Sequence, residues 1–401
     1  MTVTDSANPS HKPAPDATAG RLDNINPFRV MTVMQRAAEL EAQGRKVIHM
    51  EVGEPDFTTA APLIAAAKAA LDAGHTGYTP APGIPELRLK LAMYYQQNYG
   101  VSVDPGRILV TPGASAGLML LAHLLVGPGD GILLGDPAYP CVRNFIQLVQ
   151  GRPLLVPVGR TENFQPTVAQ LENSCDSQTT GLWLASPANP TGAILDRQRL
   201  AQCCDWASSR GLHVLVDEIY HGLHYVDDLP TVLELDDNSF VVNSFSKYFG
   251  MTGWRLGWIV VPDAFVEKAN ILAQNLYISA PSIAQYAALA AFEPGSREIF
   301  EQRRQAFRQR GDYLRRELTN MGFGLADAVQ GAFYLYADIS RFSSDAEEFC
   351  RQLLEQEAVA ITPGTDFGEH RARQTVRFAF TTSMENLEEG VARLHQALGQ
   401  S

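Results

Sequence analysis

Phe240-Val241-Val242-Asn243-Ser244-Phe245-Ser246-Lys247 decides how this chain is read. Phe240 to Asn243 opens as an unbroken apolar run rather than an alternating one, the pattern of a short strand buried on both faces. Lys247 stands where that strand gives way to a Gly-rich, aromatic loop, Tyr248 to Trp258, which also carries Arg255. A lone loop lysine is ordinarily solvated. One kept out of water gives up its proton more easily and becomes a nucleophilic amine. The choice between the two depends on what the other strand ends bring to it.

Runs of the same kind recur at Ile108-Leu109-Val110, Gly131 to Leu134, Leu154-Leu155-Val156, Leu182-Trp183-Leu184, Val214-Leu215-Val216 and Trp258 to Val261. Helical stretches lie between many of them, at 115–125, 139–150, 197–210 and 263–274. This alternation predicts an α/β fold with a mainly parallel seven-stranded sheet flanked by helices. Ligands then bind where the strand ends open into loops. Upstream, the pattern predicts helices over 28–42, 62–73 and 85–98 and a strand over 47–50. Downstream, a long polar helix over 296–319 leads to strands at 332–337, 359–362 and 375–380 and helices at 345–357 and 384–398. That remainder reads as a smaller α+β domain formed by both chain ends. The expected division is a disordered tail over 1–22, an N-terminal segment over 23–56 packing with the small domain, a large domain over 57–310 and the small domain over 311–401.

At 401 residues and 45% hydrophobic, the chain can bury a large core in more than one domain. Its net charge of -12 argues against nucleic acid or an anionic membrane as the main partner. No run is long enough to span a bilayer, and no signal-peptide pattern is visible. The five cysteines are odd in number and lack C-x-x-C spacing, which argues against a disulfide framework. The expectation is a cytoplasmic protein with reduced thiols and no metal site.

Four strand ends deliver Ser115, Asn189, Asp217 and Lys247, and in a parallel sheet they open at one edge. Gly113-Ala114-Ser115 lies between a strand and a helix, where free backbone amides and the helix dipole favour an anion. Asp217 ends the Val214 run, with Tyr220 three residues on, and Asn189 sits in Asn189-Pro190-Thr191-Gly192. Singly, each has an ordinary explanation as a cap or a turn.

Taken in order, Asn-Pro-x-Gly, Asp-x-x-Tyr and Ser-x-Ser-Lys followed by Arg255 resemble the class I aminotransferases of pyridoxal phosphate fold type I. The likeness also takes in Gly53-Glu54-Pro55-Asp56-Phe57, Tyr78 to Arg88, Pro363-Gly364-Thr365-Asp366-Phe367-Gly368 and Arg377-Phe378-Ala379. The resemblance implies pyridoxal 5'-phosphate as cofactor, an electron sink that the protein must orient and polarise. It implies that Lys247 carries the cofactor as a Schiff base and then serves as general base. The reaction would be a ping-pong transfer of an amino group from an L-α-amino acid to a 2-oxo acid. Asp217 would pair with the pyridine nitrogen, Tyr220 and Asn189 with the phenolic oxygen, and Tyr139 would stack on the ring. Gly113, Ala114, Ser115, Ser244 and Arg255 would form the phosphate cup. Tyr78 would reach the phosphate of a neighbouring subunit, which implies a homodimer with shared active sites. Arg377, with Asn189 and the Gly53 backbone, would hold the substrate α-carboxylate.

The substrate side chain is a separate matter. Asn270 to Ser282 contains no Lys or Arg, and Ser115 stands where some relatives of this kind place a lysine. The reading therefore leans to a neutral, aliphatic or aromatic amino acid, with Arg29 and Arg143 as the remaining sources of charge for an acidic one. An aspartate-type aminotransferase and a pyridoxal-phosphate lyase of the same fold are the alternatives. A remoter one is a serine hydrolase, because Gly113-Ala114-Ser115-Ala116-Gly117 fits the nucleophile-elbow pattern. It would take Asp217 and His370 as partners of Ser115, and it leaves Lys247, Arg255, Asn189 and Arg377 without a task.

Overall fold

The computed structural model describes residues 19–399. Seven strands form its main sheet: β1 (Ile108–Thr111), β2 (Gly131–Asp136), β3 (Arg152–Pro157), β4 (Thr179–Ala185), β5 (His213–Asp217), β6 (Phe240–Ser244) and β7 (Gly257–Val260). They lie in the order β1-β7-β6-β5-β4-β2-β3. Every pairing is parallel except those of β7, which runs antiparallel to both β1 and β6. The physical reason is the connection. Between β6 and β7 the chain forms only a short 3₁₀ turn, and a parallel strand needs a longer crossover. As a result β7 begins at the edge where the other six strands end, and Arg255 is returned to the side of the sheet that carries Lys247.

Both faces are covered, as the unbroken apolar runs require. Val214 and Val216 of β5 pack on one side with Leu87 and Leu91 of helix Pro85–Tyr99 and Leu200 and Cys203 of helix Arg197–Ser209. Leu215 packs on the other side with Leu118 and Leu121 of helix Ala114–Leu125 and Ala269 and Ala273 of helix Val266–Leu276. Each fully buried Val or Leu here contributes about 1.5–3 kcal/mol. A charged group survives between such layers only where something specific compensates it.

The rest of the chain builds a smaller layer. Ile48–His49 pairs in parallel with Val359–Ala360, and Tyr334–Asp338, Thr375–Ala379 and Thr362–Pro363 form an antiparallel sheet. The strand expected over 359–362 is therefore divided, its two halves joining different sheets on either side of Ile361. The helix expected over 345–357 is α-helical from Ala346 to Gln352 and widens into a π turn over Leu353–Glu357. Helix Pro294–Met321 links the layers: Phe300 packs in the first core, Phe307, Leu314 and Leu318 in the second. Arg310 on the same helix clamps Asp56 through two bonds of 2.8 and 3.0 Å.

Gly20–Asn24 forms a 3₁₀ turn, so the stretch expected as tail up to residue 22 is folded from Gly20 onward. Residues 1–18 of that expected tail lie outside the described residues. Among the described residues no helix is long and apolar enough to cross a membrane.

Candidate active site

At the strand-end edge of the main sheet lies a cavity of about 390 Å³. Ala114, Ser115, Tyr139, Asn189, Asp217, Tyr220, Ser244, Lys247, Arg255, Gly53 and Arg377 all line it. Eleven of the thirteen residues singled out from the sequence thus share one space. Gly113 stands directly behind Arg255. Tyr78 is 83% exposed and is not brought to this cavity within the chain.

Lys247 donates from Nζ to the Gly53 carbonyl at 2.6 Å, beneath the Phe333 ring. Removal from water lowers its pKa to about 8, with the Glu54 charge pulling the other way. The amine is therefore far easier to deprotonate than a solvated lysine. Asp217 is 8% exposed, and its Oδ1 accepts from Ile219 N at 3.1 Å. Burial raises its pKa to about 7, with the Ile219 bond and the Lys247 charge opposing. This is a buried carboxyl with one donor where a carboxylate can take several, facing a cavity.

At the far side of the sheet edge, Gly113 caps helix Ala114–Leu125 with φ 83°, and no side chain hydrogen-bonds the helix N-terminus as a cap. A Cβ at Gly113 would stand 2.6 Å from Arg255 Nη2, so glycine is what lets the guanidinium lie against the first turn. Arg255 itself has φ 53°, a left-handed conformation that costs a non-glycine residue energy. Its Nη1 donates to Thr252 O at 2.9 Å. Ser244 Oγ bonds Leu256 O at 3.2 Å and accepts from Ser246 N at 3.0 Å, tying β6 to the loop that carries Lys247. Free amides, a serine and a guanidinium converge here as an anion cup.

Arg377 is 3% exposed, which removes the reading of a surface strand residue. Its Nη1 donates to Asn189 Oδ1 at 2.9 Å, and its Nη2 donates to Glu51 O and to Thr362 Oγ1. Nε is buried without a partner. The guanidinium lies between the Tyr334 and Phe367 rings, 4.4 and 4.8 Å from their centroids. Tyr220 Oη pairs with Tyr334 Oη at 2.9 Å, and burial holds its pKa well above the ordinary value. Tyr139, at the start of helix Pro140–Leu148, offers a ring edge-on to Phe28 at 6.2 Å.

Sequence reasoning missed Tyr334, Phe367, Thr362 and the Glu51 carbonyl. The Glu51 carbonyl meets Arg377 from 326 positions away and Tyr334 meets Tyr220 from 114, while Thr362 is 15 positions from Arg377, and no local pattern marks any of these contacts. It also proposed His370 as a hydrolase partner of Ser115. The structure puts His370 elsewhere: its N–H donates to Asp136 Oδ2 at 2.9 Å, and it lines a separate cavity with Arg160 and Gln170. His221 is buried outside the cavity, its Nδ1 paired with Tyr99 Oη at 2.7 Å. Arg29 pairs with Glu347 and Arg143 donates to Asp366 O, and neither lines the cavity.

The residues fit a phosphorylated pyridine aldehyde. An anion cup lies at one end, a buried acid short of donors faces the space, and an easily deprotonated amine stands in the same cavity. The remaining guanidinium, paired with Asn189, suits a carboxylate.

Comparison with known proteins places this arrangement. A family model for aminotransferase class I and II matches residues 45–394. The valine–pyruvate aminotransferase of Mycobacterium tuberculosis is 36% identical over 372 residues, covering 92% of this chain and 96% of that protein. The aspartate aminotransferase of Pyrococcus horikoshii is 32% identical over 383 residues, covering 95% and 97%. A crystal structure of an aminotransferase from Mycobacterium tuberculosis superposes with a TM-score of 0.92 at 36% identity, covering 96% of this chain and all of that one.

Proposed function

Because this chain belongs to the class I and II aminotransferase family, and is thereby a transaminase, we propose that it moves an amino group from a neutral L-α-amino acid to a 2-oxo acid. Members of the family work with pyridoxal phosphate in general. The observation that carries the reading is Lys247: a desolvated amine in the same cavity as the Asp217 carboxyl, the Arg255 cup and the Arg377–Asn189 pair. When bound, the cofactor supplies an electron sink that stabilises negative charge at the substrate Cα. Lys247 would hold it covalently and, once displaced, would take the proton from the substrate Cα and deliver it to the cofactor carbon on the far side of the amino nitrogen. Asp217 keeps a proton on the ring nitrogen; its burial favours a bonded partner there over water. Tyr220 and Asn189 donate to the ring oxygen, and Tyr139 covers the ring face. Ser115, Ser244, Arg255 and the first amides of helix Ala114–Leu125 take the phosphate. Arg377 takes the substrate carboxylate.

The neutral side chain follows from counting cations. Among the described residues Lys247, Arg255 and Arg377 are the cations that line the cavity. Each has a task already, so none is left for a second carboxylate. The apolar side chains at the rim, Phe28, Val30, Met31 and Met34, suit a neutral occupant. Members of the family are typically dimeric, and an exposed Tyr78 supports its contribution to the partner's phosphate site. The separate hydrophobic clusters support a large domain over 57–310 and a small one over 311–401 with which the N-terminal segment over 23–56 packs.

The test is a screen of amino acids against protein loaded with pyridoxal phosphate, following the cofactor's visible absorbance. Leucine, valine and aromatic amino acids should bleach it without release of ammonia, and aspartate should do so poorly. Ammonia release would assign lyase chemistry instead. Preference for aspartate would overturn the neutral assignment, and protein that stays colourless with the cofactor would end the whole reading.

A further inference from the structure

The segment Pro363 to Gly368 sits where three parts of the chain meet, and amino transfer as derived above gives most of it no task. Phe367 is 1% exposed and lies under the Arg377 guanidinium. Gly368 rides on the end of β2: a Cβ there would stand 1.6 Å from Asp136 Oδ1. Asp136 in turn accepts from Glu369 N at 3.1 Å and His370 N at 2.9 Å, and Ala138 N donates to Phe367 O at 2.9 Å. The segment is therefore fixed to the main sheet and to the arginine at once.

Asp366, between these anchors, is 2% exposed and reaches a third element. Its Oδ1 accepts from Arg29 N at 2.8 Å, at the start of helix Arg29–Ala42. That helix has Phe28 at its N-cap, which supplies no side-chain bond of its own. The cap is instead provided by a carboxylate from the opposite end of the chain. Arg143 Nη2 bonds the Asp366 carbonyl at 2.8 Å, and the Arg29 side chain pairs with Glu347 at 2.7 Å. Asp366 Oδ2 is buried without a partner, so this carboxylate has exchanged water for the helix terminus. The first turns of the helix carry Val30, Met31 and Met34, with Phe28 just before them, all lining the cavity.

We propose that Asp366 is a positioning residue for side-chain selectivity: it holds the helix whose Phe28, Met31 and Met34 form the wall for the substrate side chain, in register with the Arg377 that the neighbouring Phe367 supports. This rests on the amino-acid reading of the cavity and deepens it. Methionine side chains are unbranched and adapt to varied apolar shapes. The class of substrate is then a neutral amino acid with a large apolar side chain, long enough to reach this wall, rather than alanine.

The experiment compares leucine with alanine on holoenzyme carrying Asp366→Ala, Asp366→Asn or Met34→Ala, and follows amide hydrogen exchange over residues 29–42. Loss of the cap in Asp366→Ala should lower the leucine-to-alanine ratio of kcat/KM on the order of fivefold, through KM, and speed exchange at Arg29 and Val30. Asp366→Asn keeps an amide oxygen as acceptor and should restore both. Met34→Ala should lower the ratio without changing exchange. Equal loss on leucine and alanine in Asp366→Ala, or an unchanged ratio in Met34→Ala, overturns the proposal; so does unaltered exchange in Asp366→Ala. Wild-type protein that reacts with neither amino acid refutes the amino-acid reading itself, and that outcome is separate from the others.

Discussion

Arg377→Lys separates recognition of a carboxylate from every other duty of the site. A guanidinium has five N–H donors. Three are used inside the protein, on Asn189 Oδ1, Glu51 O and Thr362 Oγ1. Nε–H and one Nη1–H remain to meet an incoming carboxylate. Lysine keeps the charge but presents a point donor, so one charge-assisted bond is lost. Such a bond is worth about 1.5–3 kcal/mol, which corresponds to roughly a 10- to 150-fold loss in kcat/KM. The assay is the half-reaction, reading cofactor absorbance against amino-acid concentration. An alkylamine without a carboxyl group serves as the internal control, since it meets Lys247 and Asp217 but has nothing for Arg377 to hold. The variant should lose its tens-fold on leucine and almost nothing on the amine. An equal loss on both would mean that Arg377 supports the cavity by packing between Tyr334 and Phe367 and not by gripping substrate.

Lys247→Ala should leave a folded protein that binds the cofactor without a covalent link, so reduction with borohydride and mass mapping should find no adduct at position 247; a normal turnover rate would remove the lysine from its role. Lys247 is held down to about 8 by removal from water, so its neutral form dominates above that pH and is depleted below it. Uptake of pyridoxal phosphate by the apo-protein should therefore rise with pH, pass its midpoint near 8 and level off about a unit above it; a midpoint in the ordinary lysine range would show a solvated amine. Asp217→Ala should retain the fold and lose at least tenfold in the half-reaction rate, the minimum expected for deleting one bond to a charged partner; unchanged rates would dismiss the ring-nitrogen contact. Gly53→Ala would drive a Cβ to 1.7 Å from Tyr334 Oη, and overpacking of this kind costs about 1–3 kcal/mol. Thermal unfolding should show the fall in Tm, and an unshifted Tm would mean that Tyr334 swings clear.

The parts of this protein that could be read from its sequence are those whose cause is local. Seven strands announced themselves because burial on both faces demands unbroken apolar runs, and Val214, Leu215 and Val216 divide between two separate cores as that demand implies. Asp217 was legible because it ends such a run, whereas Lys247, three residues past the end of β6, stood out only through the set of motifs it belongs to. The antiparallel course of β7 had no such local sign: the twelve residues between Ser244 and Gly257 are long enough for a crossover, and only the fold shows that they form no more than the turn Thr252–Trp254. What stayed hidden depends on contact between distant segments. Tyr334 meets Tyr220 from 114 positions away, and Asp366 caps a helix 337 positions upstream. A motif such as Pro363 to Gly368 marks a place under constraint without saying what constrains it. Only the folded chain shows that one residue there supports the arginine, the next glycine admits the end of a strand, and the aspartate between turn and ring steadies the helix at the cavity mouth. The chemistry of the site is thus carried by short stretches, and its selectivity by how far-apart stretches are held against each other. This is why the reaction class could be read from this chain before its shape was known, and the wall facing the substrate could not.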